Sequence, residues 1–104
     1  VASRAHHADV GGVTPGSMPP FSTSVDDEGV LFDGERIVAG GQLDVPLLRE
    51  RFAYGPHPAR NVERNLADLA AQLAANERGR AELARLVDAY GLEVVGAYMR
   101  HVQA

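Results

Sequence analysis

The chain has 104 residues, enough for one domain at most, and it lacks cysteine, which excludes disulfides, thiolate nucleophiles and cysteine-ligated zinc. A formal net charge of -4 argues against a nucleic-acid partner. All ten basic residues are arginine, so the chain contains neither a Schiff-base lysine nor a P-loop lysine. No stretch of about 18 apolar residues is present to cross a membrane. The absence of cysteine is compatible with a reducing compartment, and we expect a cytoplasmic protein.

Residues 1–20 predict a rigid loop. His6, His7 and Asp9 stand near its beginning, and the residues that follow them are dense in glycine and proline. Glycine permits positive φ or a close backbone approach, and proline fixes φ, so neither suits a helix or a central strand. A loop with so many fixed torsions loses little entropy on binding a ligand.

Short strands are predicted in the rest of the N-terminal third. Residues 21–25 alternate loosely, as a strand does, and end at an acidic run. The apolar residues 30–32 and 37–38 flank Asp33-Gly34, which favours a hairpin, although a single strand with a bulge at Gly34 fits as well. Two further glycines, at 40 and 41, end the strand region.

Helical periodicity begins at residue 42. Asp44 is a suitable N-cap for a first, short helix, and Asn61 for a longer one. The apolar stripe of the longer helix weakens around Gly79, where we expect a kink or a short break. Gly91 fits a left-handed stop before a last helix. The fold class is therefore α+β, with the loop and strands in 1–41 and a helical segment in 42–104.

The polar residues of the loop are the candidate site. Imidazole and carboxylate groups bind Zn, Mn or Fe, and a turn can close the spacing between His6 and Asp9, which favours this pair as metal ligands. His7 would point to the other side of an extended segment and contact substrate instead. Glu28, which enters the strand region, is the most suitable further carboxylate. Surface or loop-stabilising roles remain open for all four residues.

Two more side chains are candidates for substrate binding. Arg4 can bind a carboxylate or phosphate with two parallel hydrogen bonds, or equally pair with an acidic neighbour. Ser17 offers a hydroxyl to an anion or a carbonyl. The loop lacks the strand-turn-helix setting of a nucleophile elbow, which argues against Ser17 as a nucleophile.

The sequence resembles the hydantoinase B/oxoprolinase family. The resemblance is carried by SRAHHADVGGVTPGSMPPFSTSVDDEGVLF and, in the same order, by ARNVERNLADLAAQLAANERG and YGLEVVGAYMRHVQA. The sequence is most similar to the 5-oxoprolinase branch, which implies an ATP-dependent cyclic amidase that opens 5-oxo-L-proline to L-glutamate. Because family members run to several hundred residues, we expect a fragment of a larger hydantoinase B-like domain that is inactive alone.

The resemblance also implies cofactors, partners and roles. ATP would bind a hydantoinase A-like domain or subunit outside this chain, and the protein would act on a small cyclic amide as part of an oligomer. The family's HxxD metal pair matches His6 and Asp9, with Mn, Zn or Mg as the metal, and Glu28 would be a further ligand or the catalytic base. Relatives of the carboxylase type carry a histidine at the position of Leu31. Leucine cannot bind a metal ion.

Two alternative functions remain at this point. The first is a hydantoinase or ketone-carboxylase subunit of the same family, against which Leu31 argues. The second is a non-catalytic fragment whose helical segment, 42–104, serves as a packing or subunit-contact module.

Overall fold

A computed structural model describes residues 1–103 and confirms the α+β class, with a small sheet in the N-terminal half and a helical C-terminal half. The chain divides into two compact units. One unit comprises residues 5–71, and the other comprises Val1–Arg4 together with the chain from Gln72 onward.

The sheet of the first unit is a two-stranded hairpin. Strand β1, Val38–Ala39, pairs antiparallel with strand β2, Gln42–Leu43. Gly40 and Gly41 form the turn with φ of 59° and 79°. A tight hairpin turn of the I′ type needs positive φ at both central residues, which this glycine pair provides at no steric cost. The hairpin predicted around Asp33-Gly34 is therefore wrong.

A single helical turn stands where the sequence predicts the end of a strand. Helix α1 comprises Val25–Glu28. The carboxylate of Asp27 reaches back over this turn and accepts hydrogen bonds from the amides of Thr23 (2.9 Å) and Ser24 (3.1 Å). These bonds satisfy amides that have no partner within a helix, and they explain why the acidic run forms a capped turn.

Helix α2, Val45–Ala53, supplies most of the core of the first unit. Its cap is confirmed, because the side chain of Asp44 accepts a hydrogen bond from Leu47 N at 3.1 Å. Leu48 and Phe52 of α2 are fully buried against Leu66. Other apolar side chains pack around these three and are partly buried: Val10, Val30, Phe32, Ile37, Leu43, Ala59, Val62 and Leu69.

Helix α3, Val62–Tyr90, begins in the first unit and ends in the second. Asn61 is confirmed as its cap, since Asn61 Oδ1 accepts from Arg64 N at 3.1 Å. The helix continues through Gly79 without the expected break. Gly91, at φ 83°, ends α3 as predicted, and its amide donates to Val87 O at 2.8 Å.

Helix α4, Leu92–Gln103, completes the second unit. It forms an apolar groove with the end of α3, lined by Leu83, Leu86, Tyr90, Val94, Tyr98 and Met99 among others. Within residues 1–103, no helix combines the length and the apolar character that crossing a membrane requires.

Candidate functional site

The candidate site is the loop of residues 5–20, called the site loop below, and Asp9 organises it. Asp9 Oδ1 accepts a hydrogen bond from Gly11 N at 2.9 Å, and Asp9 Oδ2 accepts one from Gly16 N at 2.9 Å. The carboxylate thus joins the two glycine turns of the loop. Glycine is required at both positions, because φ is 96° at Gly11 and 88° at Gly16.

Ser17 stabilises the same loop through hydrogen bonds of its side chain to the loop backbone. Its hydroxyl accepts from Val10 N at 2.7 Å and donates to Gly11 O at 2.6 Å. Ser17 also has a positive φ of 52°, which is uncommon for a residue other than glycine. The contacts of Ser17 described here hold the loop, and its predicted role in substrate binding stays a prediction.

Arg60, which precedes the N-cap of α3, and Asn65, in the first turn of α3, hold the loop from outside. Arg60 Nη1 donates to Asp9 Oδ2 at 2.9 Å, and Arg60 Nη2 donates to Gly12 O at 2.9 Å. Asn65, only 2% exposed, donates from Nδ2 to the backbone oxygen of Asp9 at 2.7 Å. The loop is therefore bound through both its side chains and its backbone.

These contacts change the acidity of Asp9. Partial burial on its own raises the pKa of the Asp9 carboxyl. The amides of Gly16 and Gly11 donate hydrogen bonds to the carboxylate, and Arg60 adds a hydrogen bond and a positive charge. Together these contacts outweigh burial and bring the pKa of Asp9 below its ordinary value. Asp9 is consequently an ionised carboxylate at neutral pH.

His7 lies beside α3. Its side chain is 19% exposed, and its Nδ1 is buried without a hydrogen-bond partner within residues 1–103. The polar atom that the structure places beside Nδ1 is Asp68 Oδ2, at 3.8 Å, which is longer than a hydrogen bond. The imidazole of His7 therefore lies largely buried next to a carboxylate, and its role toward substrate stays a prediction.

The remaining predicted residues are exposed. His6 precedes the clamped part of the loop and Arg4 belongs to the other compact unit. Glu28 Oε1 accepts a hydrogen bond from Ser22 Oγ at 2.7 Å. The backbone of Glu28 packs on the site loop, since a Cβ on Gly12 would lie 2.7 Å from Glu28 O. The structure thus brings Glu28 next to the loop while its carboxylate stays accessible.

The described residues do not by themselves fit a metal centre. Among residues 1–103, no three side chains of His, Asp or Glu form a group that would hold a metal ion. A catalytic zinc normally takes three ligands from the protein. At Asp9, moreover, a guanidinium already neutralises the carboxylate. His6 and Asp9 as metal ligands therefore stay a prediction.

Arg60, Asn65 and Asp68 are site residues that the sequence reasoning missed. One signal was available for Asn65, because it falls on the apolar stripe of α3 together with Val62 and Leu69, and a polar residue there must find a buried partner. Arg60 gives no comparable signal, since it stands just before a helix cap in a segment with two prolines.

Comparison with known proteins defines the class to which this fold and loop belong. The family model described as hydantoinase B/oxoprolinase matches residues 1–104. The chain belongs to the hydantoinase B/oxoprolinase family. No solved structure matches the chain.

Individual relatives are named 5-oxoprolinases. The chain is 48% identical over 103 residues to "5-oxoprolinase" of Dictyostelium discoideum, covering 99% of this chain and 8% of that protein. It is 44% identical to "5-oxoprolinase 1" of Arabidopsis thaliana, covering 99% of this chain and 9% of that protein. It is 38% identical to "5-oxoprolinase" of Saccharomyces cerevisiae, again over 99% of this chain and 8% of that protein. The chain thus spans less than a tenth of these relatives.

Proposed function

We propose that this chain is part of an ATP-dependent 5-oxoprolinase, which opens the lactam of 5-oxo-L-proline with one water to give L-glutamate, while ATP and a second water yield ADP and phosphate. The observation that carries this proposal is the 48% identity, over 99% of the chain, to a protein named 5-oxoprolinase. A hydantoinase A-like part that binds ATP, a divalent metal (Mn, Zn or Mg) and a cytoplasmic location belong to the same proposal.

Within this activity, the site loop presents a preorganised surface to the cyclic amide. Its backbone is fixed by Asp9, Ser17 and Arg60, so little entropy is lost when substrate binds. The imidazole of His7, which lies beside the carboxylate of Asp68, is proposed to contact substrate. The predicted role of Arg4 in binding substrate stays a prediction, because Arg4 belongs to the other compact unit.

Glu28 is proposed as the general base that takes a proton from water as the water attacks the amide carbon. Its carboxylate is exposed and its backbone packs against the loop at Gly12. A single hydrogen bond from Ser22 orients one oxygen, which leaves the other oxygen able to accept a proton.

The proposed function is tested with the full-length protein. ADP release should depend on 5-oxoproline and should not be supported by hydantoins. Release with hydantoins but not with 5-oxoproline would contradict the proposal and favour the hydantoinase branch of the family.

The role of Glu28 is tested by Glu28→Gln, which keeps the shape of the side chain and its hydrogen bond to Ser22. We expect kcat to fall by about 100-fold or more, the usual contribution of a general base. Asp26→Asn is the matched control, because Asp26 is an exposed carboxylate of the same helical turn. Near-normal kcat in Glu28→Gln would contradict the assignment.

A further inference from the structure

We propose that the cation partner of Asp9 in this chain is the guanidinium of Arg60, and that this ion pair holds the site loop where the sequence predicts a metal ion. Arg60 is then a positioning residue for the loop. The effect on catalysis rests on the function proposed above, whereas the structural role of the pair does not.

The carboxylate oxygens of Asp9 are largely engaged in hydrogen bonds. A carboxylate offers about four lone-pair positions. Three are filled, by Gly11 N on Oδ1 and by Gly16 N and Arg60 Nη1 on Oδ2, each at 2.9 Å. A divalent ion on the same carboxylate would have to share it with a guanidinium, and two cations on one carboxylate repel each other.

Arg60 also does more than neutralise a charge. Its second terminal nitrogen donates to Gly12 O at 2.9 Å, so one planar group binds both a side chain and the backbone of the loop. The rigid fork of a guanidinium suits two such bonds, and an ammonium group does not reproduce this geometry. Arg60 therefore fixes the position of the loop as well as its charge.

Arg60 is itself held in place by its neighbours in sequence. The preceding residue, Ala59, donates its amide to Phe52 O at 2.8 Å and packs on the core. The next residue, Asn61, caps α3. The buried amide of Asn65 then binds the Asp9 backbone at 2.7 Å. The start of α3 is thus fixed to the core, and Arg60 and Asn65 in turn hold the site loop.

The experiment compares Asp9→Ala, Arg60→Ala and the double variant in the full-length protein. Hydrogen exchange of the peptide covering residues 8–18 reports the loop, and elemental analysis reports bound Mn, Zn and Mg. We expect each single variant to speed exchange of the loop amides by about tenfold, and the double variant to be no faster than the single ones. Metal content should be unchanged in all three.

Two further variants complete the design. Arg60→Lys keeps the charge but not the fork, and should restore only part of the protection. Arg64→Ala is the matched control, because Arg64 is an exposed arginine four residues after Arg60. Its side chain makes no hydrogen bond or ion pair among residues 1–103. It should leave exchange unchanged.

Two results would overturn the proposal. Loss of one equivalent of metal in Asp9→Ala, with normal metal and loop protection in Arg60→Ala, would make Asp9 a metal ligand. Additive effects of the two single variants would show that the residues act independently. Should a variant not fold, Asp9→Asn and Arg60→Lys replace it in the same cycle. A wild-type protein that does not turn over 5-oxoproline would contradict the proposed function, while exchange and metal content would still decide the role of Arg60.

Discussion

At the scale of single residues, the backbone of Gly11 approaches another part of the chain so closely that no side chain fits. A Cβ there would lie 2.4 Å from His57 O and 3.1 Å from the carbonyl carbon of Pro58. The neighbouring amide of Gly12 donates to the same His57 O at 2.9 Å. The glycine pair is therefore needed for the close contact of the loop with the backbone at His57 as well as for the turn itself.

Gly11→Ala should damage the site much more than Gly16→Ala, although φ is similar at the two positions, +96° and +88°. Alanine at such φ costs about 1–2 kcal/mol. At Gly16 this is the main cost, because a Cβ there would be 4.0 Å from its nearest neighbour. At Gly11 the backbone must also move away from His57. Hydrogen exchange of residues 8–18 in the full-length protein measures the difference, and equal effects of the two substitutions would contradict this account.

Asp27 should make the turn at α1 sensitive to acid. The amide of Thr23 is the main cause that lowers the pKa of the Asp27 carboxyl; the Thr23 hydroxyl and Ser24 add to it, and partial desolvation opposes them. Because the folded pKa lies below the unfolded one, the stabilisation is complete above the unfolded pKa and is lost as pH falls through the folded pKa.

Asp27→Asn tests this dependence. At about pH 6, the peptide covering residues 21–29 should exchange faster in the variant than in the wild type, because the carboxylate is then fully ionised. Below the folded pKa the two proteins should exchange alike. Asp26→Asn, which changes a carboxylate without these hydrogen bonds, should show no such difference. Equal exchange of wild type and Asp27→Asn at about pH 6 would contradict the prediction.

At the scale of elements, the beginning of α3 links the core to the site. Asn61→Ala removes the acceptor for Arg64 N and should cost about 1 kcal/mol of helix stability. The effect should extend to the site loop, because Arg60, just before the cap, and Asn65, in the first turn, both bind that loop. Asn61→Ser should restore most of the loss, and hydrogen exchange of residues 60–66 and 8–18 reports both effects. Loss of protection in the helix with an unchanged loop would show that the two are not coupled.

The elements governed by local rules were predictable from the sequence. Asp44 and Asn61 cap their helices and Gly91 ends α3, because each of these signals acts within one helical turn. The strand predicted in residues 21–25 is wrong, since Asp27 satisfies the amides of a tight turn there instead. The hairpin predicted at Asp33-Gly34 is wrong. Of those two residues only Gly34 has a positive φ, whereas Gly40 and Gly41 both have one and form the turn.

The site was predictable only in part, for a physical reason. The position of the loop and its rigidity follow from its glycines and prolines. Arg60, which forms an ion pair with Asp9, stands 51 positions away and is brought near by packing of α2 and α3, which no local pattern encodes. From the sequence, a histidine and a carboxylate in one loop suggest a metal ion, and this stays a prediction.

At the scale of the whole chain, the hydrophobic core is small. Only Leu48, Phe52 and Leu66 are buried apolar residues within the described part of the chain. In the second unit, by contrast, large apolar side chains of α4 are exposed, such as Tyr98 at 68% and Val102 at 83%. Folding must offset the conformational entropy of the backbone, about 1–2 kcal/mol per residue, and a small core offsets little of it.

The 104-residue chain expressed alone should therefore unfold without a sharp, cooperative transition. A well-packed domain of this size absorbs about 70 kcal/mol at its midpoint, and we expect less than about half of that by calorimetry. Leu48→Ala, which empties the centre of the core at a cost of about 2–5 kcal/mol, should abolish whatever transition the first unit shows and leave the helical circular dichroism of the second unit. Arg64→Ala should leave the transition unchanged, because this side chain lies on the surface. A sharp transition with the full enthalpy would mean that three buried side chains and the surrounding partly buried ones suffice to fold the chain cooperatively.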